Sequence, residues 1–231
     1  MKKNLLLKIL FLVSCELCFS QDIKSIKVTY GKYMKSLLDT TKTNPKQLKD
    51  LFYVLDANLN ESRFEFVKRL DIDNYSNKRL IGRSGGDGVY YKNLNLKEKL
   101  HQKYFGDKEF LISYDFNRYN WKISKETKII GNYKCYKAST SYSFYSKLAD
   151  NNFEVNIIAW FTPEISIPFG PAGYDGLPGL VLEVQIGGFY FVASKIQINT
   201  KVEIKKPKSG IKVTSKEYDK IIETSFDGKL D

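Results

Sequence analysis

Three carboxylates, Glu164, Asp175 and Glu183, flank a turn rich in glycine and proline. Two Asp or Glu side chains brought to one cleft can act as general acid and base, as in glycoside cleavage, so this is the constellation with the most catalytic potential. Spacing alone does not make them converge. In Leu180-Val181-Leu182-Glu183-Val184, strand alternation puts Glu183 on the face opposite Leu182 and Val184, toward solvent. Other chemistry is thinner. His101 is the only histidine, which excludes a His-based metal triad or a Ser-His-Asp arrangement within the chain. In Leu100-His101-Gln102-Lys103-Tyr104 it reads as a satisfied or exposed strand residue. Cys135, in a strand-like run, reads as a small buried hydrophobe with no partner for a disulfide once an N-terminal signal is removed. Gly176-Leu177-Pro178-Gly179 leads into an apolar strand, not into Lys-Ser/Thr and a helix, so it is no phosphate cradle. No catalytic residue, metal or cofactor is assigned.

The candidate site is the turn itself: Gly170, Pro171, Gly173, Asp175, Gly176, Leu177, Pro178, Gly179 and Leu180. Proline fixes φ and glycine admits positive φ and close backbone approach, so the segment is a shaped turn delivering the chain into a buried strand. It either shapes the fold or rims a ligand site. The structural reading expects Gly176 or Gly179 at positive φ and expects Asp175→Asn to leave the fold intact.

The elements around it read as β. Strands are expected at Ile26–Met34, Leu51–Leu55, Ser62–Val67, Val89–Leu94, Lys99–Phe105, Glu109–Tyr114, Asn120–Ile123, Tyr133–Tyr142, Glu154–Phe161, Leu180–Ile186 and Phe189–Gln197. The near-continuous apolar run Val155–Phe161 suits a central strand covered on both faces. Gly187-Gly188 marks a tight hairpin, both positions being free to take positive φ. Thr43–Asp50 is a candidate short helix, and Ser215–Glu223 a better one, capped by Ser215 with Tyr218, Ile221 and Ile222 on one face. Leu70–Gly88 reads as a mobile surface loop, and Thr200–Val213 as a strand followed by an exposed basic connection. Tyr30, Tyr33, Tyr90, Tyr91, Tyr142, Phe144, Tyr145, Tyr190 and Phe191 all fall in strands, where they either fill the core or line a curved, ligand-accepting face.

Residues 1–20 read as a secretory signal peptide: Lys2 and Lys3, then an apolar run from Leu5 to Val13, then small residues. Cleavage after Ser20 is preferred; a lipid anchor at Cys15, in Leu12-Val13-Ser14-Cys15, is the alternative. Residues 21–231 form one β-domain with no further span. The net charge of +11 is mostly lysine on a solvated surface, with attraction to anionic headgroups or acidic glycans as the sharper reading. Few arginines and no recognition motif argue against nucleic acid.

The motif and its flanks carry a resemblance. Trp121–Lys128, Ile130–Ala138, Ala159–Ile165 and Gly170–Val181 follow one another as in the GLPGLI family of secreted bacterial envelope proteins, with Val181 where the signature usually ends in Ile. The resemblance implies export to the periplasm or outer membrane and supplies no catalytic residue. By analogy of architecture, the expected fold is mainly β: a single antiparallel, strongly curved sheet or open half-barrel, similar to lipoprotein carriers, with one or two short helices. The function expected of such a fold is non-enzymatic binding of an apolar or amphiphilic ligand (a lipid, for instance) or of an envelope protein on the concave face, by a monomer. A carboxylate-dependent hydrolase of glycans and a structural or assembly factor are the alternatives. An open aromatic concavity favours binding, a filled one assembly.

Overall fold

The computed structural model describes residues 22–35, 46–67, 81, 85–146 and 150–227. The expected signal peptide, with Cys15 and Cys18, lies outside them, as do Thr43-Asn44-Pro45 and most of Leu70–Ser84. In chain order the strands are β1 (Ser25–Met34), β2 (Lys46–Asn58), β3 (Glu61–Phe66), β4 (Val89–Asn93), β5 (Glu98–Phe105), β6 (Lys108–Ser113), β7 (Lys122–Ile130), β8 (Tyr133–Ser146), β9 (Asn151–Thr162), β10 (Leu180–Ile186), β11 (Phe189–Ile198) and β12 (Ile211–Thr214). One helix follows, α1 (Ser215–Asp227). The strands form one open sheet in the order β12-β6-β5-β4-β3-β2-β1-β11-β10-β9-β8-β7.

The expected mainly β, open sheet is therefore present. Its pairings are antiparallel except that β12 runs parallel to β6. The expected strand within Thr200–Val213 is confined to Ile211–Thr214, after an irregular basic stretch. The Thr43–Asp50 helix is replaced, over its described part, by the start of β2. The β2–β3 hairpin falls where expected because Asn58 Oδ1 accepts the amides of Asn60 and Glu61 at 2.8 and 2.9 Å, a local Asx turn. In the Gly187-Gly188 turn only Gly187 takes positive φ. The helix is capped by Thr214, not Ser215. The Thr214 hydroxyl accepts the Glu217 amide at 3.3 Å while the Glu217 carboxylate accepts the Thr214 amide at 2.7 Å, a reciprocal box that Ser215 is placed too late to form. Tyr218 then packs edge-on against Phe110 of β6.

Register shows which side chains share a face, since residues directly opposite in antiparallel strands point the same way. Ile26, Val28 and Tyr30 of β1 face Ala57, Leu55 and Tyr53 of β2; Leu55 faces Phe64 of β3; Phe64 faces Tyr90 of β4; Tyr90 faces His101 of β5; His101 faces Ile112 of β6. On the other side of β1, Phe191, Val184, Ala159 and Ala138 continue the same face through β11, β10, β9 and β8. This inner face holds most of the buried apolar residues. Only the end of β9 is covered on both sides, where Phe161 and Thr162 are both buried; its first residues are exposed. Thr140–Ser146 and Asn151–Asn156 run past the last rungs to β7 and β10, as a two-stranded ribbon beyond the sheet.

The connection from β9 to β10, residues 163–179, crosses the inner face as a strap. Ile165, Ile167 and Phe169 alternate into the core, and the Leu180 and Val181 amides bond to the Ile165 and Phe169 carbonyls at 3.0 Å. Its length dictates how far the sheet curls. A Cβ added to Gly170 would lie 2.7 Å from Val181 Cβ on β10, and one added to Gly173 would lie 3.2 Å from the Tyr90 ring on β4. Three residues reach at most ~11 Å. Five strand spacings, the separation of β10 and β4 in a flat sheet, are ~24 Å. The sheet bends until β10 and β4 both touch the strap. The strap covers most of the concavity, and of the two readings of the strand aromatics core filling holds for Tyr30 and Phe191, which with Tyr53 and Phe64 pack on one another and on strap residues.

Gly176 and Gly179 both take positive φ, but only Gly179 is crowded, its missing Cβ overlapping the Thr162 carbonyl. Gly179→Ala is expected to cost about 3 kcal/mol or more, and Gly176→Ala, which meets open space, about 1 kcal/mol. Urea unfolding midpoints of the two variants measure the difference; equal losses would contradict the close approach at Thr162.

Candidate functional site

Inward positions on β4 and β5 carry a pair of facing lysines on a face that is mostly hydrocarbon. Lys92 and Lys99 are directly opposite each other in the β4–β5 ladder. Two ammonium groups so placed repel, and burial deepens the cost. The strap supplies the counter-charge. Asp175 accepts from Lys92 Nζ at 2.5 Å and lies 3.0 Å from Lys99 Nζ, with its own side chain 5% exposed and each lysine 6%. Lys99 also donates to the Gly173 carbonyl at 2.7 Å, and Lys92 to the Phe116 carbonyl at 3.3 Å. The Asp175 carbonyl accepts from Trp121 Nε1 at 2.9 Å, so one residue ties strap, sheet and the β6–β7 connection together. Burial lowers the Lys99 pKa to about 8 against the opposing pull of Asp175.

Two more inward polar groups continue the row. His101 is buried, stacks on Tyr90 with ring centroids 3.8 Å apart, and places Nε2 2.7 Å from the Asp87 carbonyl. A carbonyl only accepts, so the proton is on Nε2; burial lowers this histidine to about 4, and it is satisfied, as one of the two sequence readings had it. Lys32 of β1 is buried against the Phe191 ring at 3.4 Å and donates to the Gly85 carbonyl at 3.1 Å, with its pKa lowered by desolvation to about 6. Gly85–Gly88, expected in a mobile loop, is thus anchored inside: Gly86 touches Tyr53 and Phe191, and Asp87 pairs with Lys103 at 3.0 Å.

The three carboxylates of the sequence reading do not meet. Asp175 is held by Lys92 and Lys99. Glu183 is not solvated as alternation predicts but is paired through both oxygens, at 2.8 Å, with Lys128. It lies on the face opposite Val184, where alternation puts it, with Val192 and Trp160 beside it, and the Lys128 ammonium of β7 covers it there. Glu164 accepts the Lys134 amide at 2.9 Å. Cys135 is buried and free, and desolvation raises its thiol to about 11. Of the nine motif residues, Gly170, Gly179, Leu177 and Leu180 are packing positions, Pro171 and Gly173 form a 3-10 turn, Asp175 is the ion-pair partner, and Gly176 and Pro178 are exposed.

Among the described residues, two openings on the inner face include Arg118 from the β6–β7 connection. One, about 20 Å³, is the size of a water molecule and lies among Lys92, Lys99, Asp175, Tyr90, Tyr114 and Arg118. The other, about 190 Å³, is bounded by Arg118, Tyr119, Asn120, Thr140, Ser141 and Tyr142 with Ile157 as an apolar floor. It is the part of the concavity that the strap leaves uncovered. The Arg118 guanidinium lies over the Tyr114 ring at 4.2 Å, and Tyr119 stacks on Tyr174 of the strap at 5.2 Å. The sequence reading missed Arg118, Tyr119 and Asn120, since nothing in Phe116-Asn117-Arg118-Tyr119-Asn120 distinguishes them from an ordinary connection. Of the expected aromatic lining, Tyr142 belongs to this groove, Tyr30 and Phe191 are core, and the side chains of Phe144 and Tyr145 lie outside the described residues.

Residues 147–183, which include the whole motif, match a family model described as a protein of unknown function (Porph_ging). No curated protein matches the chain. Two structures of PNGF-II in different space groups align with 86% of this chain at 15% identity and a TM-score of 0.56. The likeness is one of fold, and the chain spans about a third of PNGF-II, 32% and 33% in the two structures. LprF from Mycobacterium bovis aligns with 82% of this chain and 92% of its own at 10% identity, but with a TM-score of only 0.30.

Asp175→Asn, expected from sequence to be tolerated, leaves two buried lysines without an anion and is expected to cost about 3–5 kcal/mol. The triple replacement Lys92→Met, Lys99→Met and Asp175→Leu should cost less than Asp175→Asn alone, as read from urea midpoints; the reverse order would contradict the latch. Stability should also depend on pH in a particular direction. His101 titrates near 4 when folded and near 6.5 when unfolded, so the unfolded chain binds the extra proton and stability falls as pH drops through that window. Lys99 and Lys32 titrate near 8 and 6 when folded against 10.5 unfolded, so their penalty is relieved as pH rises toward 10. Above about 10 the buried tyrosines Tyr30, Tyr53 and Tyr90, raised by desolvation, reverse the slope because the unfolded chain ionises first. Denaturant midpoints should peak near pH 9–10, and Lys99→Met should flatten the rise above pH 8.

Proposed function

We propose that the protein is an exported, non-enzymatic binding protein of the bacterial cell envelope, a member of the GLPGLI family, that takes an amphiphilic ligand at the Arg118 groove. The observation that carries the reading is the uncovered part of the inner face: about 190 Å³ with a cation, two tyrosines, two hydroxyls and an amide around an apolar floor. Ligand sites combine apolar walls with a few placed polar groups in this way. Its volume is below that of a drug-sized pocket, so it suits a headgroup and the first part of a tail. The apolar floor continues outward, since Thr140 and Tyr142 of β8 face Ile157 and Val155 of β9, and Tyr142 is 46% exposed on the ribbon. Envelope export is supported by the N-terminal sequence and by the motif inside the matched family region. Among the described residues no helix is long and apolar enough to cross a membrane. The hydrolase alternative loses its support, because Glu164, Asp175 and Glu183 occupy three separate ion-pair or hydrogen-bonding positions.

Native mass spectrometry of protein purified from its own envelope tests the proposal. A co-purifying amphiphile is expected with the wild type and is expected to be lost in Thr140→Trp, which fills the groove, at an unchanged melting temperature. Retention of the same ligand by Thr140→Trp would move the site elsewhere.

A further inference from the structure

We infer that the ligand of the Arg118 groove is anionic and that its oxyanion head sits on the Arg118 guanidinium; this rests on the binding function proposed above. Arg118, Lys92 and Lys99 converge on the smaller opening, and a single carboxylate, Asp175, stands among them. That carboxylate is already shared by the two lysines. Among the described residues Arg118 makes no ion pair; it lies over the Tyr114 and Tyr119 rings, at 4.2 and 5.6 Å, and hydrogen-bonds the Tyr114 side chain. Asp219 senses Arg118 only at longer range, and Lys92 and Arg118 each push the Lys99 ammonium toward its neutral form. The wall between the two openings thus carries three cations to one carboxylate, with Arg118 exposed at its rim, which draws anions to it.

The one hydrogen bond to Tyr114 leaves most of the five guanidinium donors available, and their planar fork matches two oxygens of a phosphate or carboxylate. Asn120, Thr140 and Ser141 stand around the same groove with donors for the remaining oxygens. Tyr119, Tyr142 and Ile157 offer apolar surface to whatever the head is attached to. The arrangement fits an oxyanion carried on an apolar body.

Calorimetric titration at constant ionic strength with octyl phosphate, octyl glucoside and inorganic phosphate tests this. Octyl phosphate is expected to bind at least about tenfold more tightly than octyl glucoside, which has the same tail and a neutral head. Arg118→Gln should abolish that preference without lowering the melting temperature. Asn120→Asp, an exposed change that offers Arg118 an internal carboxylate, should do the same and serves if Arg118→Gln fails to fold. Equal binding of the two octyl compounds would overturn the anion inference while leaving amphiphile binding in place. Inorganic phosphate binding as tightly as octyl phosphate, with octyl glucoside unbound, would support the oxyanion seat and overturn the amphiphile. Binding of neither phosphate would overturn the inference outright.

Discussion

The Asp175 carboxylate between Lys92 and Lys99 is the interaction on which the curled sheet depends. A sheet of this width has no intrinsic reason to bend until its two halves share one short strap, and apolar contact alone would let that strap slide. A buried ion pair is different, because any displacement exposes an unpaired charge to hydrocarbon. Asp175 therefore fixes where the strap lies, and the Trp121 indole bound to its carbonyl fixes the β6–β7 connection over it. The groove beside Arg118 exists because strap and connection meet at this point and stop short of β8.

The inner face is divided in character. From β8 to β3 it is mainly hydrocarbon and aromatic rings, with Lys32 of β1 as a buried exception, while on β4 and β5 it carries Lys92, Lys99 and His101. Replacing these by apolar residues of similar size would often make a fold more stable. Their retention in a buried ladder is most economically understood as register control: only one placement of the strap satisfies two opposed ammonium groups and leaves Gly173 against Tyr90. Specificity of that sort places Arg118 within reach of an incoming ligand.

Much of this fold was legible in the chain because period-2 patterning and turn residues act locally. The Asx turn at Asn58 and the glycine turn at Gly187 placed their hairpins correctly. What was not legible is what depends on distant partners. Lys46–Asp50 became strand because β1 offered a ladder, overriding a weak helical start. Glu183 keeps the face that alternation gives it but is half-buried there, because Lys128 on the edge strand β7 comes within reach of it. Asp175 looked like a turn carboxylate until β4 and β5 were folded beneath it. The motif glycines could be read as shaping residues from their backbone freedom, but the groove residues are unremarkable in type and are made a site only by what fails to cover them.

One feature of the topology bears on the order of assembly. β1 lies in the middle of the sheet, and its two neighbours are β2 and β11, so Ile26 pairs with Ala57 on one side and with Ile198 on the other. The second of these closures joins positions 26 and 198, and loops of that length are slow to close. A polypeptide emerging N-terminus first can form the β2–β3 hairpin early, yet β1 keeps an open edge until β11 has been made. The central ladder is thus a late event by construction, and β1 stays unpaired on one side until the residues of β11, far downstream, have been made.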